Sequence, residues 1–253
     1  MKDTSWGGVA DWYDDLLTKT EGTYQKEVIL PNLLRAMEIK KGEKVLDLAC
    51  GQGFFSREFA KAGAEVLGLD ISPELIKIAS LQTTNYKLPA VFKVAPADNL
   101  KSVPDSSMDK AAIVLAIQNI ENLMGTMAEC ARVLKKGGKL FIVMNHPVFR
   151  IPKASSWGWD EEKKMQYRQL DAYMSESREK IDMHPGEKSR DYTISFHRPL
   201  QVYFKAMRKA GFAVRSLEEW ISGRVSQPGP RAKAENAARA EFPLFLFWEA
   251  VKY

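Results

Sequence analysis

Two acids and two glycines carry the clearest chemistry in this chain. Asp47 stands just before Gly51-Gln52-Gly53, and Asp70 follows the second glycine by 17 residues. A glycine loop after a strand lets backbone come close to a ligand and leaves a helix N-terminus facing it. An acid at the end of the next strand is placed to accept hydrogen bonds from two ribose hydroxyls. The combination points to a nucleoside-containing cofactor. A dinucleotide fingerprint asks for a third small residue, where Ser56 stands, and a pyrophosphate is poorly served by an acid so close to the loop. A carboxylate at Asp47 suits a cationic ligand end, an ammonium or a sulfonium, which favours S-adenosylmethionine over NAD. The competing reading is a bare tight turn capped by Asp47, since Gly-x-Gly alone is weak.

Histidine is the next source of chemistry, and the chain has three. Asn145-His146-Pro147 falls at the end of an expected strand, where His146 could deprotonate a hydroxyl or amine. Its alternative is a structural bond to a loop. His197, in Ser195-Phe196-His197-Arg198-Pro199, either faces the same cavity or caps the following helix, and His184 beside Pro185-Gly186 reads as a loop residue. Trp157-Gly158-Trp159 and Tyr167 could cover a planar acceptor or simply pack. Arg150, Arg198, Arg224 and Arg231 are candidates to grip a carboxylate or phosphate, against a plain surface role. The stretch Gln227 to Asn236, with Arg231 in it, is expected to border the substrate mouth. Trp157, His197 and Arg231 are therefore the substrate-side candidates.

Short apolar runs and helical periods must position these groups. Residues 23–38 read as a helix, then Lys44 to Ala49 as a buried strand with Asp47 near its end. Helix 54–62, strand 65–70 and a helix opened by Ser72-Pro73-Glu74 follow. Strands are expected at 90–95, 110–117 and 139–144, with a helix at 122–134 stopped by Lys136-Gly137-Gly138. Alternating strands and helices indicate right-handed βαβ units and a parallel sheet, whose ligands bind at the strands' carboxyl ends. After Met144 the pattern breaks. Residues 146–197 read as an inserted lid, partly helical over about 160–182. A helix at 199–210 and strands at 212–220 and 242–252 complete the chain, with a possible helix within 223–240.

At this point the residues resemble a family. Val45 to Ser56, followed by Gly68-Leu69-Asp70-Ile71-Ser72, resembles motif I and its successor in class I S-adenosylmethionine-dependent methyltransferases. Pro104 to Asp109 and Arg132 to Gly138 are similar to further stretches of the small-molecule type, related to the ubiquinone/menaquinone group. The resemblance runs over about 10–145 and is looser beyond. It implies an α/β fold, with a Rossmann-like, seven-stranded, mostly parallel sheet and helices on both faces. It also implies transfer of a methyl group from S-adenosylmethionine, leaving S-adenosylhomocysteine. Asp47, Gly51 and Gly53 would hold the methionine moiety, with Ala49 among the cofactor-binding residues, and Asp70 would take the ribose, with Ile71 against the adenine. Ala97 and Asp98 would meet the adenine edge, and Ala116 and Gln118 would line the methyl side. Tyr13, in Ala10-Asp11-Trp12-Tyr13-Asp14, would sit in a segment folding over the cofactor. Ala95-Pro96-Ala97 departs from the family's Gly-Asp-Ala, which leaves the adenine contact the weakest of these.

Composition narrows the class without naming the acceptor. At 45% hydrophobic and 27% charged, the 253-residue chain is neither a disordered tail nor a membrane bundle. One domain is expected, divided into a helical cap (1–40), a cofactor-binding core (41–145), the insertion (146–197) and a C-terminal part (198–253). The two cysteines make neither a disulfide framework nor a metal site. No apolar leader opens the chain and no apolar run reaches about 18 residues, so the cytoplasm is the expected compartment. A net charge of +5 permits an anionic partner without demanding one. The favoured acceptor is a small molecule, anionic or aromatic, methylated at O, N or C. Nucleic acid is the less favoured partner, because Gln118-Asn119-Ile120 stands where an Asn-Pro-Pro-Tyr-type motif would be. An RNA or protein methyltransferase, a non-catalytic cofactor-binding protein and, more distantly, a dehydrogenase are the alternatives.

Overall fold

The computed structural model describes residues 6–182 and 192–253. Helix α1 (Ala10–Lys19) is followed by a π-helical stretch, Gln25–Ile29, that runs directly into α2 (Leu30–Met37). Pro31 has no N–H to donate, and the Leu30 N–H reaches back five residues to the Gln25 carbonyl. The alternating part then follows: β1 (Lys44–Leu48), α3 (Phe54–Lys61), β2 (Glu65–Asp70), α4 (Pro73–Tyr86) and β3 (Ala90–Val94). It continues with β4 (Met108–Val114), α5 (Leu123–Val133) and β5 (Leu134–Asn145). Ser72 caps α4 as expected, its hydroxyl accepting from Leu75 N–H at 3.2 Å. Lys136-Gly137-Gly138 does not stop α5. The helix ends at Val133 and these residues lie inside β5, where pairing with β4 is irregular.

Seven strands form one sheet in the order β10-β11-β5-β4-β1-β2-β3, with β10 (Phe212–Trp220) and β11 (Phe245–Lys252) at the far side. β1 to β5 pair in parallel, and β11 runs antiparallel to both β5 and β10. This is the expected Rossmann-like, mostly parallel sheet. Side chains alternate between its faces. Leu46 and Leu48 pack on the side of α5 and α6 (Leu200–Lys209), with Met127, Tyr203 and Met207. Val45, Ala112 and Phe141 pack on the other side, with Ile29 and Leu33 near α2 and Phe59 of α3. The same alternation puts Asp47 on the α3 face. β1 has β2 on one flank and β4 on the other, so the sheet order reverses there and a crevice opens at their carboxyl ends.

The insertion is β structure, which corrects the helix expected over 160–182. β6 (Ser155–Asp160) pairs antiparallel with β7 (Met165–Leu170), and β8 (Ser177–Asp182) with β9 (Tyr192–His197). Trp157, Trp159, Met165 and Tyr167 recur every second residue, a strand period. The charged run Glu161-Glu162-Lys163-Lys164, which reads as helix, is a turn: Asp160 Oδ1 accepts from the N–H groups of Glu162 and Lys163 at 3.0 and 2.9 Å. Gly158 lies opposite Tyr167, and a Cβ there would come within 2.3 Å of the Tyr167 ring. α7 (Ala232–Glu241) confirms a helix within 223–240. His184 lies outside the described residues. Among the described residues no helix is long and apolar enough to cross a membrane.

The reversed strand carries the largest fully buried side chain among the described residues, Trp248, against Tyr203 and Phe204 of α6 at ring separations of 5.5 and 5.4 Å. Replacing Trp248 by Ala is expected to cost about 3–5 kcal/mol, because α6 and the sheet cannot collapse fully onto the space left. Urea unfolding of the Trp248→Ala protein checks this.

Candidate functional site

A cavity of about 410 Å³ opens at the carboxyl ends of β1, β2 and β4. That lies within the roughly 300–1,000 Å³ of small-molecule sites. The loop after β1 forms its floor, and two non-glycine residues beside it hold left-handed backbone: Ala49 (φ 58°) and Leu115 (φ 54°). Such conformations cost of order 1–3 kcal/mol and gather where a binding geometry requires them. Gly53 (φ 79°) also needs its missing side chain, since a Cβ would come within 3.0 Å of both Ala79 and Phe92. Arg57 secures the loop from α3, donating to the Gln52 carbonyl at 2.7 Å and to Gln52 Oε1 at 2.9 Å.

Two buried carboxylates border the cavity. Asp47 is buried and its Oδ2 accepts from Ser56 Oγ at 2.5 Å, so the small residue at position 56 holds the acid in place. Burial pushes the Asp47 carboxyl up to about 7; the Ser56 bond opposes the rise and the neighbouring Asp70 adds to it. Asp70 is also raised by burial, against the Ser72 and Gly51 N–H groups that hydrogen-bond it, both at 2.9 Å. Each carboxylate oxygen has two lone pairs, so Asp70 ties the loop to β2 and keeps capacity for hydroxyl donors. The Cys50 thiol is pushed well above the ordinary range by burial and by both acids. Neither acid forms an ion pair among the described residues. The floor is thus a pair of desolvated acids whose charged forms await a cationic or hydroxyl-bearing partner.

Of the expected cofactor-side residues, Asp47, Ala49, Gly51, Asp70 and Ile71 border this cavity, as do Ala97, Asp98 and Ala116. Asp98 accepts from Asn122 Nδ2 at 2.8 Å, which joins the loop after β3 to the start of α5. Gly53 stands behind the loop rather than at the cavity. Gln118 also turns away, its Nε2 donating to the Leu115 carbonyl at 2.7 Å, where it supports the left-handed turn. Tyr13 falls in α1, but its side chain lies outside the described residues.

None of the substrate-side candidates borders this cavity. His146 is absent from the cavity wall. Its ring is buried, Nδ1 accepts from Val148 and Phe149 N–H, and Nε2 meets Glu219 Oε1 at 2.7 Å. With both nitrogens engaged it pins the turn after β5 to β10. His197 Nε2 bonds the Tyr173 carbonyl at 2.7 Å. Trp157 packs against Phe242 (5.5 Å) and Arg168 (5.2 Å), and Arg231 lies over Trp159 (4.5 Å) with Glu161 at 3.1 Å. These contacts lie within the insertion or join it to the C-terminal part. Arg224 lies over Tyr24, and Arg198 donates to the Ile120 and Glu121 carbonyls. The wall instead uses Phe54, Phe55, Asn119, Arg178, Ile194 and Phe196. Phe54 and Phe55 follow the glycine loop directly and were readable from it. Arg178 and Phe196 needed the hairpin register, which the charge pattern hides.

Comparison with known proteins agrees with this geometry. Residues 46–142 match the family model described as a methyltransferase domain. A ubiquinone biosynthesis O-methyltransferase of Xanthomonas oryzae is 33% identical over 101 residues, 40% of this chain and 42% of the relative. A demethylmenaquinone methyltransferase of Tropheryma whipplei is 33% identical over 114 residues, 45% and 46% of the two chains. The chain thus spans less than half the length of these curated relatives. An S-adenosylmethionine-dependent methyltransferase structure from Mesorhizobium loti superposes with a TM-score of 0.68 at 27% identity, covering 87% of this chain and 96% of that one.

Two pH effects follow. With Asp47 raised from 3.8 to about 7, the folded protein holds a proton that the unfolded chain releases, so stability falls from pH 4 to 7 and levels above. Asp47→Asn is expected to remove that fall, with a bound of about 4 kcal/mol at pH 8, in urea unfolding of the ligand-free protein. His146 is held below its ordinary value by burial, with Glu219 opposing, so its contribution is lost as the pH falls through the histidine range. His146→Ala should cost about 1–3 kcal/mol at pH 8, by leaving bonded groups unpaired. The gap should narrow toward pH 5.

Proposed function

We propose that the whole protein, whose residues 46–142 match a methyltransferase-domain model, transfers a methyl group from S-adenosylmethionine to an O, N or C atom of a small-molecule acceptor. The observation that carries this is the pair of buried acids, Asp47 and Asp70, bordering one cavity at the strand ends. A carboxylate raised to about 7 gains most from a positively charged ligand end, and Asp70 retains acceptor capacity for ribose hydroxyls. These residues fit S-adenosylmethionine. In this reading Asp47, Ala49 and Gly51 hold the methionine end, Asp70 the ribose, and Ile71, Ala97 and Asp98 the adenine. Tyr13, on α1, belongs to the segment that would cover them.

S-adenosylmethionine, when bound, supplies a methyl group already activated on a sulfonium. What remains for the protein is alignment and exclusion of water. The left-handed turns at Ala49 and Leu115 bring backbone to the cavity, and Phe54 and Phe55 give it dry walls. No histidine among the described residues borders it, so this reading uses no histidine base. The relatives' names, one in ubiquinone biosynthesis and one acting on demethylmenaquinone, support a small-molecule acceptor. The cytoplasm is the compartment that goes with it.

Calorimetric titration with S-adenosylhomocysteine tests the reading. One molecule is expected to bind per chain, NAD should not compete, and Asp70→Asn should weaken binding about tenfold, since a charged hydrogen-bond acceptor is lost. Absence of S-adenosylhomocysteine binding would refute it.

A further inference from the structure

The cavity is charged unevenly. Asp47, Asp70, Asp98 and Glu121 border it, whereas Arg178 is the one lysine or arginine on its wall among the described residues. Arg178 stands on β8 directly opposite Phe196 of β9, with its Cζ 6.0 Å from the ring centre. The hairpin that carries both is fastened to the core. Asn119 Nδ2 donates to the Ile194 carbonyl at 2.8 Å, and the buried Arg198 donates to the Ile120 and Glu121 carbonyls at 2.9 and 2.7 Å. Arg178 is therefore held at the mouth by bonds that its own side chain does not make. Its sequence neighbour Glu179 is paired with Lys153 at 3.1 Å, and among the described residues no carboxylate ion-pairs with Arg178.

We propose that Arg178 is the anion clamp of the acceptor, and that the acceptor is a planar apolar molecule bearing a carboxylate. The proposal rests on the methyl-transfer reading and narrows its substrate. A cavity bordered by four acids repels an anion unless a cation anchors it. A guanidinium on the wall offers a fork that matches a carboxylate with two parallel hydrogen bonds. Phe196 and Ile194 beside it supply the apolar face for a ring. The acids and the guanidinium then divide the cavity between a cationic cofactor end and an anionic acceptor end.

Benzoate and its neutral counterpart benzyl alcohol serve as probes, titrated calorimetrically into the full chain saturated with S-adenosylhomocysteine. Benzoate is expected to bind at least about tenfold more tightly than benzyl alcohol and to weaken with added salt. Arg178→Gln should lower benzoate affinity about tenfold or more, and Arg178→Lys less, because a point charge replaces the fork. Benzyl alcohol binding, S-adenosylhomocysteine affinity and the unfolding midpoint should stay unchanged in both variants. No benzoate binding, equal binding of the two probes, or full benzoate affinity in Arg178→Gln overturns the proposal. So does an equal loss of S-adenosylhomocysteine affinity, which would assign the guanidinium to the cofactor's carboxylate. If S-adenosylhomocysteine fails to bind the parent, the methyl-transfer reading falls. Benzoate binding that depends on Arg178 in the unloaded protein would then still support the clamp, and its absence would remove both.

Discussion

A carboxylate buried at the end of a parallel strand is costly to keep charged, and this molecule is arranged around that cost. Asp47 sits on the α3 face because strand alternation sends Leu46 and Leu48 to the other. The first turn of α3 then provides Ser56 to hold it. Asp70, one strand over, ties the glycine loop down through Gly51 N–H. Two acids are thereby kept close together and away from bulk water, in a protein that is less stable for it. A ligand that brings positive charge and hydroxyl donors recovers what folding gave up, which is the general relation between binding strain and stability.

The other half of the cavity is made differently. Its floor is sheet and helix, while its wall is a two-stranded hairpin bonded to the turn after β4. His146, His197, Trp157 and Trp159 bond within the insertion or to the C-terminal part. His146 bonds across to β10, His197 to Tyr173, and Trp157 and Trp159 to Phe242 and Arg231. Residue types that usually signal chemistry are here spent on keeping a long excursion in place. The chemistry on that side falls to an arginine among charges.

The legible parts of the sequence were those with local causes. The βαβ alternation, the glycine loop and the acids at strand ends follow from short-range patterns, and the structure repeats them to within a few residues. The insertion reads as partly helical over about 160–182 but is β structure, with Glu161 to Lys164 forming a turn set by Asp160. His146 was misjudged because position at a strand end says nothing about what the ring meets, and Glu219 lies 73 residues away. Arg178 was missed because its place depends on which residue of β9 it faces. Gln118 was placed on the right loop but faces its own backbone. Pairing across long separations is what the linear pattern does not carry.

Among the described residues, β8 and β9 form a sheet of their own, with no strand pairing to the seven-stranded sheet. Its links to the core include side-chain bonds from Asn119 and Arg198 to carbonyls, which are present whatever the residue, and one from Asn119 Nδ2 to Thr193 Oγ1 at 3.3 Å. The face it turns to the cavity can therefore change residue by residue without disturbing the register of β1, β2 and β4. The residues proposed to meet the acceptor and those proposed to hold the cofactor are thus carried by different sheets of the described structure.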